Sequence, residues 1–95
     1  MAIVVRTAVR SADQNAHDRL EQSVEAAIAQ QGGPPDGLMV HLAHPSGQDF
    51  LIVDVWRSES EFRAWWKDVM APALADLGLT AGEPEINPVW SFARP

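Results

Sequence analysis

A histidine and an aspartate lie in two neighbouring apolar runs of the sequence, where they could form an acid–base pair. His41 interrupts the run 38–43, and Asp54 interrupts the run 50–56. If the loop between two such strands has an even length, both side chains lie on one sheet face with Ile52. A carboxylate beside an imidazole fixes its tautomer and raises its basicity, as general base catalysis requires. We predict His41 and Asp54 as catalytic residues; the alternative is a buried hydrogen-bonded pair at a dimer face, and an odd loop would separate them.

A second histidine lies at the start of the first amphipathic segment. His17 precedes Leu20 by three residues and Val24 by seven, which puts it on the apolar stripe in the first turn of a helix. A side chain there can face the mouth of a pocket between helix and sheet. The alternative is a half-exposed histidine, because helix ends are usually in contact with water.

Four tryptophans in 95 residues are the most distinctive feature of the composition. Trp65 and Trp66 lie on the apolar side of the second helical segment, and Trp56 and Trp90 lie in predicted strands. Large rings are well suited to flank a flat aromatic ligand, and indole N–H groups can orient it. Core packing is the alternative for at least two of the rings, and we favour Trp56 and Trp66 for the cavity. The predicted substrate-binding residues are His17, Trp56, Trp65, Trp66 and Trp90.

The sequence lacks the residues that several other kinds of catalytic or binding site require. These 95 residues contain no cysteine, so a disulfide or a thiolate nucleophile is excluded. His41 and His44 are three positions apart, which on a strand places them on opposite faces, so we predict no metal site. No glycine-rich nucleotide loop occurs, and Ser46-Gly47 is typical of a hairpin turn and not of a nucleophile elbow, so we also predict no cofactor.

The charge and length limit the protein class. Seven basic against thirteen acidic residues give a net charge of −6, which disfavours nucleic acid as a partner. No apolar run is long enough to span a membrane and the first residues do not resemble a signal peptide, so we expect a soluble cytoplasmic protein. The length predicts a single domain over residues 1–95.

The pattern of apolar residues predicts the elements that position these side chains. A strand over residues 2–9 is followed by a helix that begins with a capping box of Ser11 and Gln14 and ends before Gly32. The two apolar runs around His41 and Asp54 predict a hairpin whose turn spans 44–49.

The second helix has the strongest periodicity. It begins with a capping box of Ser58 and Glu61, and Pro72 predicts a bend or break over 68–71 because proline lacks the amide hydrogen. The segment 86–93 predicts a last strand.

The element order βαββαβ predicts a ferredoxin-like α+β fold, with two helices on one face of a four-stranded antiparallel sheet. The strands carry apolar residues on both faces, for example Leu51 and Val53 beside Phe50 and Ile52. An exposed apolar face of this kind exceeds what a monomer normally shows, so we predict a homodimer.

Several segments together carry a resemblance to a known group of proteins. They are residues 37–41 (GLMVH), 53–62 (VDVWRSESEF), 72–74 (PAL) and Gly78. The chain resembles small bacterial members of the dimeric α+β barrel superfamily related to antibiotic biosynthesis monooxygenases. The resemblance implies a homodimer that binds a small apolar or aromatic ligand, and a cofactor-independent monooxygenase acting on aromatic or polyketide-like substrates. Trp90 stands where the pattern has a last-strand histidine, which leaves open the alternative of a non-catalytic binding or scaffold protein.

Overall fold

A computed structural model describes residues 1–93 of the chain. Its elements follow the predicted βαββαβ order, with the second helix divided in two. The elements are β1 (Ile3–Val9), α1 (Gln14–Gln31), β2 (Leu38–Ser46), β3 (Asp49–Trp56), α2 (Glu59–Trp65), a π turn (Trp66–Met70), α3 (Ala71–Asp76) and β4 (Glu85–Pro88). No helix in the described part is long and apolar enough to cross a membrane.

The four strands form one antiparallel sheet in the order β2-β3-β1-β4. The side chains of β3 alternate between buried and partly exposed along its length, because successive residues point to opposite faces. Phe50, Ile52 and Trp56 belong to the core, where they pack with Leu20 of α1 and Phe62 of α2. The predicted fold class, ferredoxin-like α+β with the helices on one sheet face, is confirmed.

The start of α1 differs from the prediction. Asp13, and not Ser11, caps the helix, and its carboxylate accepts a hydrogen bond from the Ala16 amide at 2.9 Å. Ser11 has a left-handed backbone, with φ of 45°, and its amide donates to the Asp49 carboxylate at 2.8 Å. The chain before α1 is therefore fastened to the far end of the hairpin, which fixes the distance between α1 and β3.

The hairpin between β2 and β3 closes with only two loop residues, Gly47 and Gln48. The predicted turn over 44–49 is therefore too long, since β2 continues through Ser46. Gly47 has φ of 61° at the first loop position, where a two-residue hairpin of type II′ needs a left-handed residue. The loop length is even, and His41 therefore pairs directly opposite Asp54.

The second helix begins at the predicted cap, and its α-helical hydrogen bonding is interrupted before Pro72. Ser58 caps α2 by accepting a hydrogen bond from the Glu61 amide. The Ala71 amide then bonds to the Trp66 carbonyl, five residues back, which makes the segment before Pro72 a π turn. Pro72 lies in the first turn of α3 and has no N–H to donate back to a carbonyl of the preceding segment.

The last strand is shorter than predicted. β4 spans Glu85–Pro88 and not 86–93, because its partner β1 begins at Ile3, directly opposite Pro88. Beyond that pair the Val89 amide donates a hydrogen bond to the Ala2 carbonyl at 2.9 Å. Trp90 follows the strand and is 94% exposed.

Candidate functional site

Two strands of the sheet bring His41 and Asp54 into contact on the helix-covered face. His41 Nδ1 lies 2.7 Å from Asp54 Oδ1, and the two residues are directly paired across β2 and β3. The other carboxylate oxygen of Asp54 accepts from the Trp56 indole N–H at 3.4 Å. The predicted juxtaposition is confirmed, while a catalytic role for the pair stays a prediction.

Helix α1 supplies a third member of this cluster, Glu21. Its Oε1 lies 2.9 Å from His41 Nε2 and 3.5 Å from His17 Nε2. His17 lies one helical turn before Glu21, so the two side chains share a helix face. His17, Glu21, His41 and Asp54 therefore form a continuous row from helix to sheet, which we call the histidine–carboxylate row.

The row fixes the charge of His41. Hydrogen bonds to Asp54 and then to Glu21 raise the pKa of His41 from its ordinary value near 6.5 to about 10. At neutral pH His41 is therefore an imidazolium that donates one N–H to each carboxylate. The hydrogen bond from His41 also lowers the pKa of Glu21, so Glu21 stays ionised.

This charge state limits what His41 can do chemically. Neither of its ring nitrogens has a free lone pair at neutral pH, because both carry hydrogen atoms that are already donated. A general base needs such a lone pair within reach of the proton it removes. In the arrangement shown, His41 holds two carboxylates in place.

A cleft of about 390 Å³ lies between the start of α1 and the end of the hairpin. His17 forms part of its wall, with 29% of its side chain exposed, and the ring stands edge-on to Phe50 at a centroid distance of 5.4 Å. The other lining residues are Ala12, Asp13, Gln14, Ala43, His44, Pro45, Gly47, Gln48 and Asp49. The cleft is thus one surface at which the histidine–carboxylate row meets solvent.

The structure does not gather the four tryptophans around this cleft. Trp56 is fully enclosed and packs against Trp65 at a centroid distance of 6.3 Å, so both rings belong to the core. Trp66 is half-buried against Phe62, and the exposed Trp90 lies beyond β4. Trp56 does not line either opening, since helix packing closes over its ring. A binding role for the four tryptophans stays a prediction.

A wider groove of about 610 Å³ lies at the other end of α1, between the loop that follows the helix and the α2–π segment. Its walls include Trp65 and the carboxylates of Asp36, Glu61 and Asp68. Glu61 is already paired with Arg57, and no histidine lines the groove. Although this groove is larger, His17 and His44 line the cleft at the other end of α1.

Neither region offers a metal site. Across residues 1–93 no group of three or more histidine, aspartate or glutamate side chains is arranged to hold a metal ion. Hydrogen bonds between His41 and its two carboxylates occupy the nitrogens that a metal would need.

Proteins of known structure share this fold over almost their whole length. SnoaB, a cofactor-independent oxygenase from Streptomyces nogalater, is 16% identical, with 96% of this chain and 93% of that chain covered and a TM-score of 0.61. Rv0793 from Mycobacterium tuberculosis is 14% identical, with 99% and 100% covered and a TM-score of 0.64. A Deinococcus radiodurans protein, described provisionally as an antibiotic biosynthesis monooxygenase, is 20% identical, with 100% and 98% covered and a TM-score of 0.61.

No protein-family model and no curated protein matches the sequence. At such low sequence identities the structural matches show the shared fold alone. A fold is conserved over far greater sequence differences than a function is. The chain has the ferredoxin-like α+β fold of antibiotic biosynthesis monooxygenase-like proteins, as the sequence resemblance predicted.

Proposed function

We propose that the protein binds a small, flat and mostly apolar molecule, aromatic or polyketide-like, in the cleft between α1 and the hairpin and oxidises it with dioxygen. The observation that carries the proposal is the cleft wall itself, where His17 stands edge-on to Phe50 and adjoins Glu21. An aromatic surface beside a titratable group suits a ligand that must be both held and deprotonated. SnoaB, which has the same fold, is a cofactor-independent oxygenase.

The proposed reaction needs no cofactor because the substrate supplies the electrons. In an anthrone, removal of one methylene proton gives a stabilised carbanion that reduces dioxygen and forms a carbon–oxygen bond. The peroxide that results takes a proton and loses water as the second methylene hydrogen leaves, which yields the quinone. One anthrone and one dioxygen thus give one anthraquinone and one water. The protein contributes binding, the proton transfers and exclusion of bulk water.

Oxygen uptake with anthrone tests this proposal. We expect saturable uptake above the protein-free rate, equal amounts of anthraquinone formed, and no effect of added chelator. Phe50→Ala, which removes the aromatic wall, should raise KM, and Asp68→Asn in the other groove should leave the kinetics unchanged. Uptake no faster than the protein-free rate would refute the oxygenase.

A non-catalytic ligand-binding or scaffold protein is the second candidate function. It is favoured by His41, whose two nitrogens are both occupied by carboxylates, so that the residue predicted as the base is already protonated. It is also favoured by Trp90, which stands where the proteins that the sequence resembles have a last-strand histidine. Saturable binding of anthrone without any oxygen uptake would select this candidate.

We also propose that a second copy of the chain covers the outer face of the sheet, giving the dimeric barrel. The face opposite the helices carries a mostly apolar set of side chains that are half-buried or, for Leu42, exposed in one chain. They are Val4, Ala8, Val40, Leu42, Leu51, Val53 and Val55. An apolar surface of this extent is typical of an interface between subunits. Light scattering should then give about twice the chain mass of 10.4 kDa.

A further inference from the structure

The three histidines of the chain differ in which ring nitrogens are free. Both nitrogens of His41 are hydrogen-bonded to carboxylates, at 2.7 and 2.9 Å. His17 uses only Nδ1, which donates to Asp18 Oδ1 at 3.0 Å, while its Nε2 lies 3.5 Å from Glu21, beyond a normal hydrogen bond. Among the described residues His17 thus has one clear hydrogen bond, through Nδ1, and its ring lines the cleft.

Two carboxylates lie beside the ring nitrogens of His17. Asp18 holds Nδ1 as the donor, which leaves the Nε2 lone pair as the acceptor. When Nε2 takes up a proton, the ionised Glu21 stands beside the new positive charge. An orienting carboxylate on one side of an imidazole and an acceptor nitrogen on the other is the arrangement of a general base.

Resting on the proposed oxidation, we propose that His17 is the catalytic base and that Glu21 is its positioning residue. His17 Nε2 removes the methylene proton of the bound molecule, and the electron pair left on carbon forms the bond to dioxygen. The proton then passes from His17 to the peroxide oxygen, before water is lost. His41 and Asp54 act at a distance, by holding Glu21 in place from the sheet side.

Glu21 can position His17 because its carboxylate is anchored from behind. Its Oε1 accepts from His41 at 2.9 Å, and His41 is in turn held by the largely buried Asp54. A fixed carboxylate needs no rearrangement when the charge on His17 appears, which is the condition for effective electrostatic stabilisation. The loss of Glu21 would leave His17 in the cleft but remove this nearby negative charge.

A matched control variant lies outside the cleft. Asp68 lines the wider groove at the other end of α1. Asp68→Asn should therefore leave kcat unchanged. His17→Ala should lower kcat at least roughly 100-fold with little change in KM, and added imidazole should restore part of the rate.

The role of Glu21 is separated from a structural one by comparing kcat with KM. Glu21→Gln keeps the size of the side chain and removes the negative charge that lies 3.5 Å from His17 Nε2. We expect kcat to fall while KM changes little, because the substrate contacts in the cleft remain. An unchanged kcat in a folded Glu21→Gln protein would overturn the positioning role.

Proton removal is measured without oxygen as the closing experiment. Under argon in D₂O, the native protein should speed exchange of the anthrone methylene hydrogens, followed by proton NMR, and His17→Ala should abolish the acceleration. Exchange without oxygen uptake supports the base and refutes the oxygenase. If exchange or oxygen uptake persists in His17→Ala, His17 is not the base and the oxygenase proposal stands. If the native protein accelerates neither exchange nor oxygen uptake, the base and the oxygenase are both refuted.

Discussion

Alkaline pH should destabilise this protein through a single side chain, His41. Its pKa is raised to about 10 in the folded state by Asp54 and Glu21, against an ordinary value near 6.5 in the unfolded chain. Because the folded state binds this proton more tightly, the resulting stabilisation is complete below pH 6.5. It declines as the pH rises above that value and is lost above about pH 10.

The magnitude follows from the two pKa values and the exposure of the ring. At about 1.4 kcal/mol per pH unit, the interval from 6.5 to about 10 sets a ceiling of about 5 kcal/mol. The His41 side chain is 37% exposed, so solvent screens its interaction with the carboxylates. We therefore expect a loss of about 2 kcal/mol in the free energy of unfolding between pH 6.5 and pH 10.5.

The composition makes this measurement unusually specific. The chain has no tyrosine and no cysteine, and Lys67 is its only lysine, so few other groups titrate in this range. Urea unfolding followed by tryptophan fluorescence, at one fixed protein concentration, gives the free energy at each pH. His41→Gln should be less stable at pH 7 and should lose much less stability on the alkaline side. An equal alkaline loss in His41→Gln, or a flat native profile, would refute the reasoning.

Three further changes test the packing of the fold. Ser58→Ala should lower the free energy of unfolding by about 1 kcal/mol, because it removes the cap of α2, and thermal unfolding will measure it. Gly37→Ala should cost about 1–2 kcal/mol in urea unfolding, since φ is +85° and a Cβ would meet the Glu61 carboxylate at 2.6 Å. Gly47→Ala, with a φ of +61° and open space, is its control and should cost less. Val53→Glu on the outer face should give a monomer by light scattering, and an unchanged dimer would place the interface elsewhere.

Most of the fold could be predicted because apolar spacing and end signals agree locally. The β3 alternation, the Ser58 cap and the effect of Pro72 each depend on a few adjacent residues. Two predicted element boundaries were wrong, because residues distant in the sequence determine where these elements begin or end. The Ser11 amide donates a hydrogen bond to the Asp49 carboxylate, and α1 therefore starts later than predicted. Strand β4 ends at Pro88 because its partner β1 begins at the residue opposite, Ile3.

For the same reason, only part of the candidate site could be predicted from the sequence. The contact of His41 with Asp54 depends on loop parity, and the residues 44–49 contain several turn formers, so the sequence left the parity open. Glu21 was missed because it falls among the polar residues between apolar positions of α1, where a carboxylate normally faces water. The only sequence signal for Glu21 was its spacing of four residues from His17, which places both on one helix face. Its hydrogen bond to His41 forms because α1 packs against β2.

The location of the ligand is the most direct test of the central claim. In a titration of the isotope-labelled protein with anthrone under argon, backbone amide shifts map the contact surface. We predict saturable shifts in residues 12–17 and 43–50, which line the cleft beside His17. Shifts confined to residues 31–36 and 64–69 around the wider groove, or no shifts at all, would contradict the account.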